Sequence, residues 1–265
     1  MPLHIGPQFA WAAAIMAALF GMLWIVERFR KDASIVDVGW SAGLGILAIW
    51  FAATTPSDDV RPWFVAALGA FWSLRLAGHL LIDRVIGKSE DGRYVRLRAT
   101  WGSRAGFYFF LFFQAQALLA LLFVLPMVVA MRAERPLGDA FDIAAGVVWL
   151  TSVLGETLAD RQLAAFRKDP TQRGKVCRAG LWRYSRHPNY FFEWLHWWTY
   201  VFIAVGHPWF SLTLVGPALM LFFLIFVTGI RATEHHLIQS RGEAYREYQR
   251  TTSPFIPWFP RKEAP

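Results

Sequence analysis

Carboxylates, imidazoles and guanidiniums stand in this chain among apolar neighbours that make them expensive to keep. Asp37 lies three residues before Trp40 within one apolar run, and Arg75 and His79 lie four apart within another. Glu156 and Asp160 are also four apart, with Arg167 further along. Glu193 and His196 are three apart, with Tyr200 four beyond, and Glu234 and His235 follow the last apolar run. Spacings of three and four place side chains on one face of a helix. An ionisable group inside a water-free span costs several kcal/mol and so marks a functional position by default. The chemistry open to such a set is proton transfer, and hydrogen bonding to an oxygen that gains charge in a reaction. Ion pairing, as of Asp37 with Arg75 or Glu156 with Arg161, is the structural alternative. Because such groups recur in one run after another, a single shared polar cavity explains them better than separate bridges.

A second set is cationic. Arg167-Lys168 and the run from Lys175 to Arg186 crowd guanidiniums and amines next to those acids. Arginine forks bind phosphates in a bidentate manner, so a phosphorylated cofactor fits there. A Gly-x-Gly-x-x-Gly fingerprint following a strand is absent, which leaves any dinucleotide to be held among helices. The one cysteine, Cys177, excludes an internal disulfide and a thiolate metal cage. The seven histidines form no clustered His-x-x-His-His box, which argues against a di-iron lipid hydroxylase, and no metal site is expected.

These groups must be positioned by apolar elements. The chain of 265 residues is 55% hydrophobic and only 17% charged, against about 25% charged in soluble domains. Seven stretches have spanning or near-spanning length: Phe9–Val26, Ser34–Ala53, Trp63–Ile82, Phe107–Met131, Phe141–Ala159, Tyr190–Val205 and Trp209–Ile230. The sixth is the weakest, being short and carrying Glu193 and His196. Most of the 27 basic residues fall after the first, third, fifth and seventh stretches. That alternation predicts an all-α integral membrane protein of seven transmembrane helices, N-terminus outside and C-terminus cytoplasmic. The net charge of +8 then reports membrane orientation, and no nucleic-acid partner is expected. Met1 to Gln8 lack the basic start of a cleavable signal, so the first span is expected to be retained. The expected setting is a multi-pass position in a bacterial inner membrane, or in the endoplasmic reticulum of a eukaryote, with membrane lipids around it; a monomer suffices.

Three segments carry a family resemblance. Gly155-Glu156-Thr157-Leu158-Ala159-Asp160-Arg161, Phe166-Arg167-Lys168 and Gly180-Leu181-Trp182-Arg183-Tyr184-Ser185-Arg186-His187-Pro188-Asn189-Tyr190-Phe191-Phe192-Glu193 resemble the C-terminal domain of the steroid 5-alpha-reductase family, in its bacterial branch. The ending Glu234-His235-His236 through Tyr245-Arg246-Glu247-Tyr248, with Pro254-Phe255-Ile256-Pro257, is similar too. So are Asp37-Val38-Gly39-Trp40 and Glu90-Asp91-Gly92-Arg93-Tyr94.

The resemblance implies one transmembrane domain over 1–265, with a substrate and catalytic part at 34–106 and an NADPH-binding part at 150–257. It implies reduction of the 4,5 double bond of a 3-oxo-steroid or similar enone lipid. By position it assigns Asp160, Arg167, Asn189, Glu193, Arg231, His235, Glu90 and Arg93 to the cofactor, with Tyr94, Glu156, Lys175, Tyr184, Arg186, His187 and Tyr190 beside them. Glu156 stands where the family often has Asn. Asp37 and His79 align with the family's catalytic Glu and Tyr, with Trp40 close by, while Val36 replaces the family's Gln. A histidine or a protonated aspartate can still donate to a carbonyl oxygen.

Two rival classes remain. Isoprenylcysteine-type membrane methyltransferases, which use S-adenosylmethionine, share the turn seen here as Arg186-His187-Pro188-Asn189-Tyr190. They carry a later Glu pair, whereas Glu234 is followed by His235. A non-enzymatic transporter would use the buried groups as a pathway, but short outside loops argue against alternating access.

Overall fold

The computed structural model describes residues 5–227 and 229–261. Met1 to His4 of the expected N-terminal lead and the basic Lys262 lie outside them. Every regular element among the described residues is a helix, with one isolated parallel bridge between Ser185 and Ser253 and no strand. Six helical stretches are long and apolar enough to cross a membrane. The sixth expected span forms a helix of 16 residues, Pro188–Ile203, short of the about 20 that a crossing needs. The chain packs into two compact units, one of residues before 135 with Gly206–Val215, the other of Arg135–Val205 with Gly216 onward.

The first unit is built by α1 (Gly6–Arg30), α2 (Ile35–Thr54), α3 (Arg61–Leu80), α4 (Gly92–Trp101), α5 (Ala105–Ala130) and the short α8 (Phe210–Thr213). α1 ends where Lys31 turns left-handed, at φ 54°, and its N–H closes on the Glu27 carbonyl. α2 and α3 approach closely because small residues face each other. The Gly45 N–H donates to Ser73 Oγ at 2.8 Å, and Ser73 Oγ donates to the Ser41 carbonyl. A methyl on Gly45 would fall 2.7 Å from Ser73 Oγ, so the contact needs glycine there. α3 runs on into a π turn, Leu81–Val85, which carries Arg84. Asp91 caps α4, accepting from the Arg93 N–H.

The second unit is built by α6 (Ala140–Lys168), α7 (Pro188–Ile203), α9 (Val215–Phe222), α10 (Ile230–Arg241) and α11 (Glu243–Thr251). Asp139 caps α6 by accepting from the Phe141 and Asp142 N–H groups. Ile143, Val147, Leu150, Leu154 and Leu158 stand exposed at helical spacing along one face of α6, while Ala145, Ser152, Glu156 and Ala159 are buried on the other. An apolar stripe of that length facing outward is what a lipid-contacting helix presents. Pro188 opens α7 at a position where a missing N–H costs nothing. The apolar part of the last long stretch ends at the π turn Phe223–Val227. Beyond it α10 is polar, and Gly242, at φ 57°, turns the chain into α11.

Candidate functional site

In the first unit, the amino-terminal turn of α2, the π turn after α3 and the start of α4 meet around Asp37. Its Oδ2 accepts from Arg93 Nη2 at 2.7 Å and from Arg84 Nη1 at 3.2 Å. Its Oδ1 accepts from the Tyr94 hydroxyl at 2.7 Å. Arg93 also grips Asp91 through Nε at 3.1 Å, and Ser34 Oγ accepts from the Asp91 N–H at 2.9 Å. Burial would raise the Asp91 carboxyl, but the hydrogen bonds and charge of Arg93 hold it below the usual aspartate value.

Glu90 forms the next layer. It accepts from the Ala33 N–H at 2.9 Å and from Arg98 at 2.7 and 3.2 Å, and Arg98 reaches the fully buried Glu27 at 2.8 Å. The structure therefore brings Asp37, Glu90, Arg93 and Tyr94 into one network. Trp40 stands one turn along α2 from Asp37, its ring edge-on to Phe123 at 5.1 Å. Its indole N–H is buried without a hydrogen-bond partner among the described residues. His79 occupies the last turn of α3, half-buried, just before the π turn that supplies Arg84.

In the second unit, the turn from Tyr184 to Asn189 is held from three sides. Glu234, on α10, is its hub. Oε1 accepts from Arg186 Nε at 2.7 Å, His187 Nε2 at 3.2 Å and the Tyr245 hydroxyl at 3.4 Å, and Oε2 accepts from Gln249 Nε2 at 2.7 Å. Burial would raise the Glu234 carboxyl, yet donation from His187 and Arg186 brings it down to about 2. Burial lowers the His187 pKa, so its ring is neutral. Because Glu234 is a carboxylate, Nε2 is the nitrogen that carries the proton. The same ring stacks on Tyr190 with centroids 5.3 Å apart. The chain after α11 runs back along the turn. Ser253 O accepts from the Arg186 N–H at 2.8 Å, Phe255 O from Ser185 Oγ at 2.8 Å, and Tyr184 O from the Trp258 N–H at 2.9 Å.

Asn189 projects from the first turn of α7 toward α6. Its Nδ2 donates to Asp160 Oδ1 at 3.2 Å, while its Oδ1 is buried with no donor among the described residues. Glu156, one turn before Asp160, and Glu193, one turn after Asn189, are both buried. Lys175 and Arg167 are exposed, Tyr184 packs edge-on to Phe259 at 6.1 Å, Arg231 lies over the Phe226 ring at 4.6 Å, and His235 is exposed and bonded to Gln239 at 3.0 Å. Sequence reasoning left Glu234, Arg84 and Ser34 out of the site. Glu234 had a signal, as an acid after the last apolar run that opens the family-like ending; Arg84 and Ser34 had none beyond their neighbours.

A family model described as protein of unknown function (DUF1295) matches residues 23–252. The chain belongs to the DUF1295 family. This DUF1295 chain is also similar to the protein named 3-oxo-5-alpha-steroid 4-dehydrogenase 1 of Homo sapiens, 32% identical over 110 residues. The protein of the same name from Macaca fascicularis is 30% identical over 110 residues. Each match covers 41% of this chain and 39% of the relative, so the DUF1295 chain matches about two-fifths of either length. No solved structure matches it. The apolar helices and this likeness together describe a multi-pass membrane protein similar to a steroid dehydrogenase.

Proposed function

We propose that this chain is a membrane-embedded reductase that uses NADPH to reduce the carbon–carbon double bond of an enone lipid, a 3-oxo-steroid or a molecule like it. The observation that carries the reading is Asn189. A buried amide whose nitrogen is committed to Asp160 and whose oxygen lacks a donor is prepared for a ligand N–H or O–H, since buried polar atoms are ordinarily paired. The relatives' printed name supports a steroid substrate class.

Asn189, Asp160, Glu193 and Arg167 would hold the cofactor, which when bound would supply a hydride to the beta carbon. The remaining work belongs to the chain. As the double bond is reduced, negative charge collects on the ketone oxygen, and a pre-aimed donor there lowers the barrier. The unpaired Trp40 N–H and the imidazole of His79 are the donors we assign to that oxygen. Asp37, clamped by Arg93, Arg84 and Tyr94, holds the mouth of α2 and α3 in register rather than touching the substrate. The Glu234 hub does the same for the turn that presents Asn189. We further propose that α7 is a seventh crossing, that the basic loops face the cytoplasm, and that the chain falls in a bacterial branch.

The test is consumption of NADPH by purified protein with a panel of enone lipids, progesterone-like compounds included, and S-adenosylmethionine offered separately. Turnover with an enone supports the reading. Methyl transfer without NADPH turnover defeats it.

A further inference from the structure

Beside the Arg186 turn lies a cavity of about 220 Å³ with no part in the chemistry proposed above. Three arginines line it, Arg186, Arg250 and Arg261, together with Thr252, Ser253 and Trp258. Arg186 is only 8% exposed. Its Nε is committed to Glu234 and its Nη1 to the carbonyls of Gln249 and Thr252, at 2.9 and 2.6 Å. These bonds lock a buried guanidinium against the cavity wall.

Arg261 is anchored by its backbone, its N–H donating to the Thr251 carbonyl at 2.8 Å, and its side chain is exposed. Arg250 shares Glu243 with Arg246. Glu234 answers Arg186, and Glu243 stands against Arg250. Among the described residues that line the cavity three are arginines and none is an acid, so its wall is basic. Like charges gathered this closely repel unless an anion joins them.

The size limits the ligand. Sites for drug-sized molecules run from about 300 Å³ upward, so a whole dinucleotide or a steroid does not fit. A single tetrahedral anion with part of its substituent does, and arginine forks match phosphate oxygens. Trp258, 70% exposed, stands at the rim where an apolar or aryl substituent would rest. We propose that this cavity binds a phosphate group, carried either by a soluble nucleotide-like ligand or by a lipid headgroup. The proposal goes beyond the reductase reading and does not depend on turnover.

Titration calorimetry of the full chain tests it, first in phospholipid-free detergent with inorganic phosphate and with adenosine 2′,5′-bisphosphate. A second arm reconstitutes the protein in vesicles of phosphatidylcholine alone or mixed with phosphatidylglycerol, and native mass spectrometry reads the lipid retained. Arg261→Gln removes the exposed fork without touching the packing, and Arg96→Gln removes an equal charge from α4 as control. We expect saturable binding in one arm, weakened about tenfold or more by Arg261→Gln, the worth of a charge-assisted hydrogen bond, and unaltered by Arg96→Gln. Binding in the soluble arm identifies a nucleotide-like source; retention of phosphatidylglycerol alone identifies a lipid. Absence of saturable binding in both arms, or equal loss in the two variants, overturns the proposal.

Discussion

The Tyr94 hydroxyl and the Asp37 carboxylate are 57 residues apart in sequence and 2.7 Å apart in space. That bond fastens α4 to the head of α2 and fixes which way Asp37 faces. With Tyr94 on one oxygen and two guanidiniums on the other, Asp37 is an acceptor only. A proton-donating role, the sequence expectation for it, would require Tyr94 to leave Oδ1 or the two guanidiniums to leave Oδ2.

Tyr94→Phe should lower the stability of the detergent-solubilised protein by about 1 kcal/mol, the net worth of one buried hydrogen bond. Asp37→Asn should cost more, because it leaves Arg84 and Arg93 facing a neutral amide. Thermal unfolding of both variants against the parent checks the order, and an Asp37→Asn melt at or above that of Tyr94→Phe contradicts it.

Trp40→Phe keeps the ring that packs on Phe123 and removes only the unpaired N–H. Turnover with an enone should fall by about tenfold to a hundredfold, the lower range for loss of one donor to a developing oxyanion, with NADPH affinity unchanged. Steady-state kinetics paired with a binding titration separates the two quantities. Full turnover would remove Trp40 from the carbonyl.

Asn189→Leu should weaken NADPH by about tenfold or more while the fold holds, since the change strips out a paired amide and leaves Asp160 without that donor. Fluorescence titration of NADPH measures it. An unchanged affinity would take the cofactor away from this amide.

Acid should loosen the second unit through Glu234 and His187. Glu234 titrates at about 2 when folded against 4.5 unfolded, a depressed acid. Its stabilisation is complete above 4.5 and disappears as the pH falls toward 2. The His187 pKa is lowered below 6.5. The unfolded chain therefore takes up the proton first, and stability declines as the pH drops below 6.5. Melting curves across this range should slope downward toward acid in both windows. Glu234→Gln should flatten the lower window, and His187→Phe the upper. A parent melt that rises between 6.5 and 4.5 would show the signs to be wrong.

The helical architecture was legible because the water-free stretches are long and continuous. Six of the expected spans are helices of sufficient length and apolarity. α7 was marked as the weak one for the reason the structure shows, its length. The partners within the network were not legible. Asp37 announces itself as a charge in an apolar run, but that Arg84 and Arg93, 47 and 56 residues away, close on it depends on the π turn and the Asp91 cap. Glu234 was visible as part of a motif and invisible as a hub, because its four donors come from the turn at 186–187 and from α11. Trp40 and Asn189 were named as site residues, but that each keeps a buried polar atom unmatched depends on packing, which no spacing encodes.

The returning segment has a consequence for how the protein is made. Tyr184 accepts a hydrogen bond from Trp258, Ser185 and Arg186 donate to Phe255 and Ser253, and the Arg186 charge is answered by a glutamate 48 positions downstream. When the ribosome has released α6 and α7, this bend still lacks its clamps. It sets only after the chain beyond α11 emerges and threads back, so maturation of the turn follows synthesis of the helices that flank it.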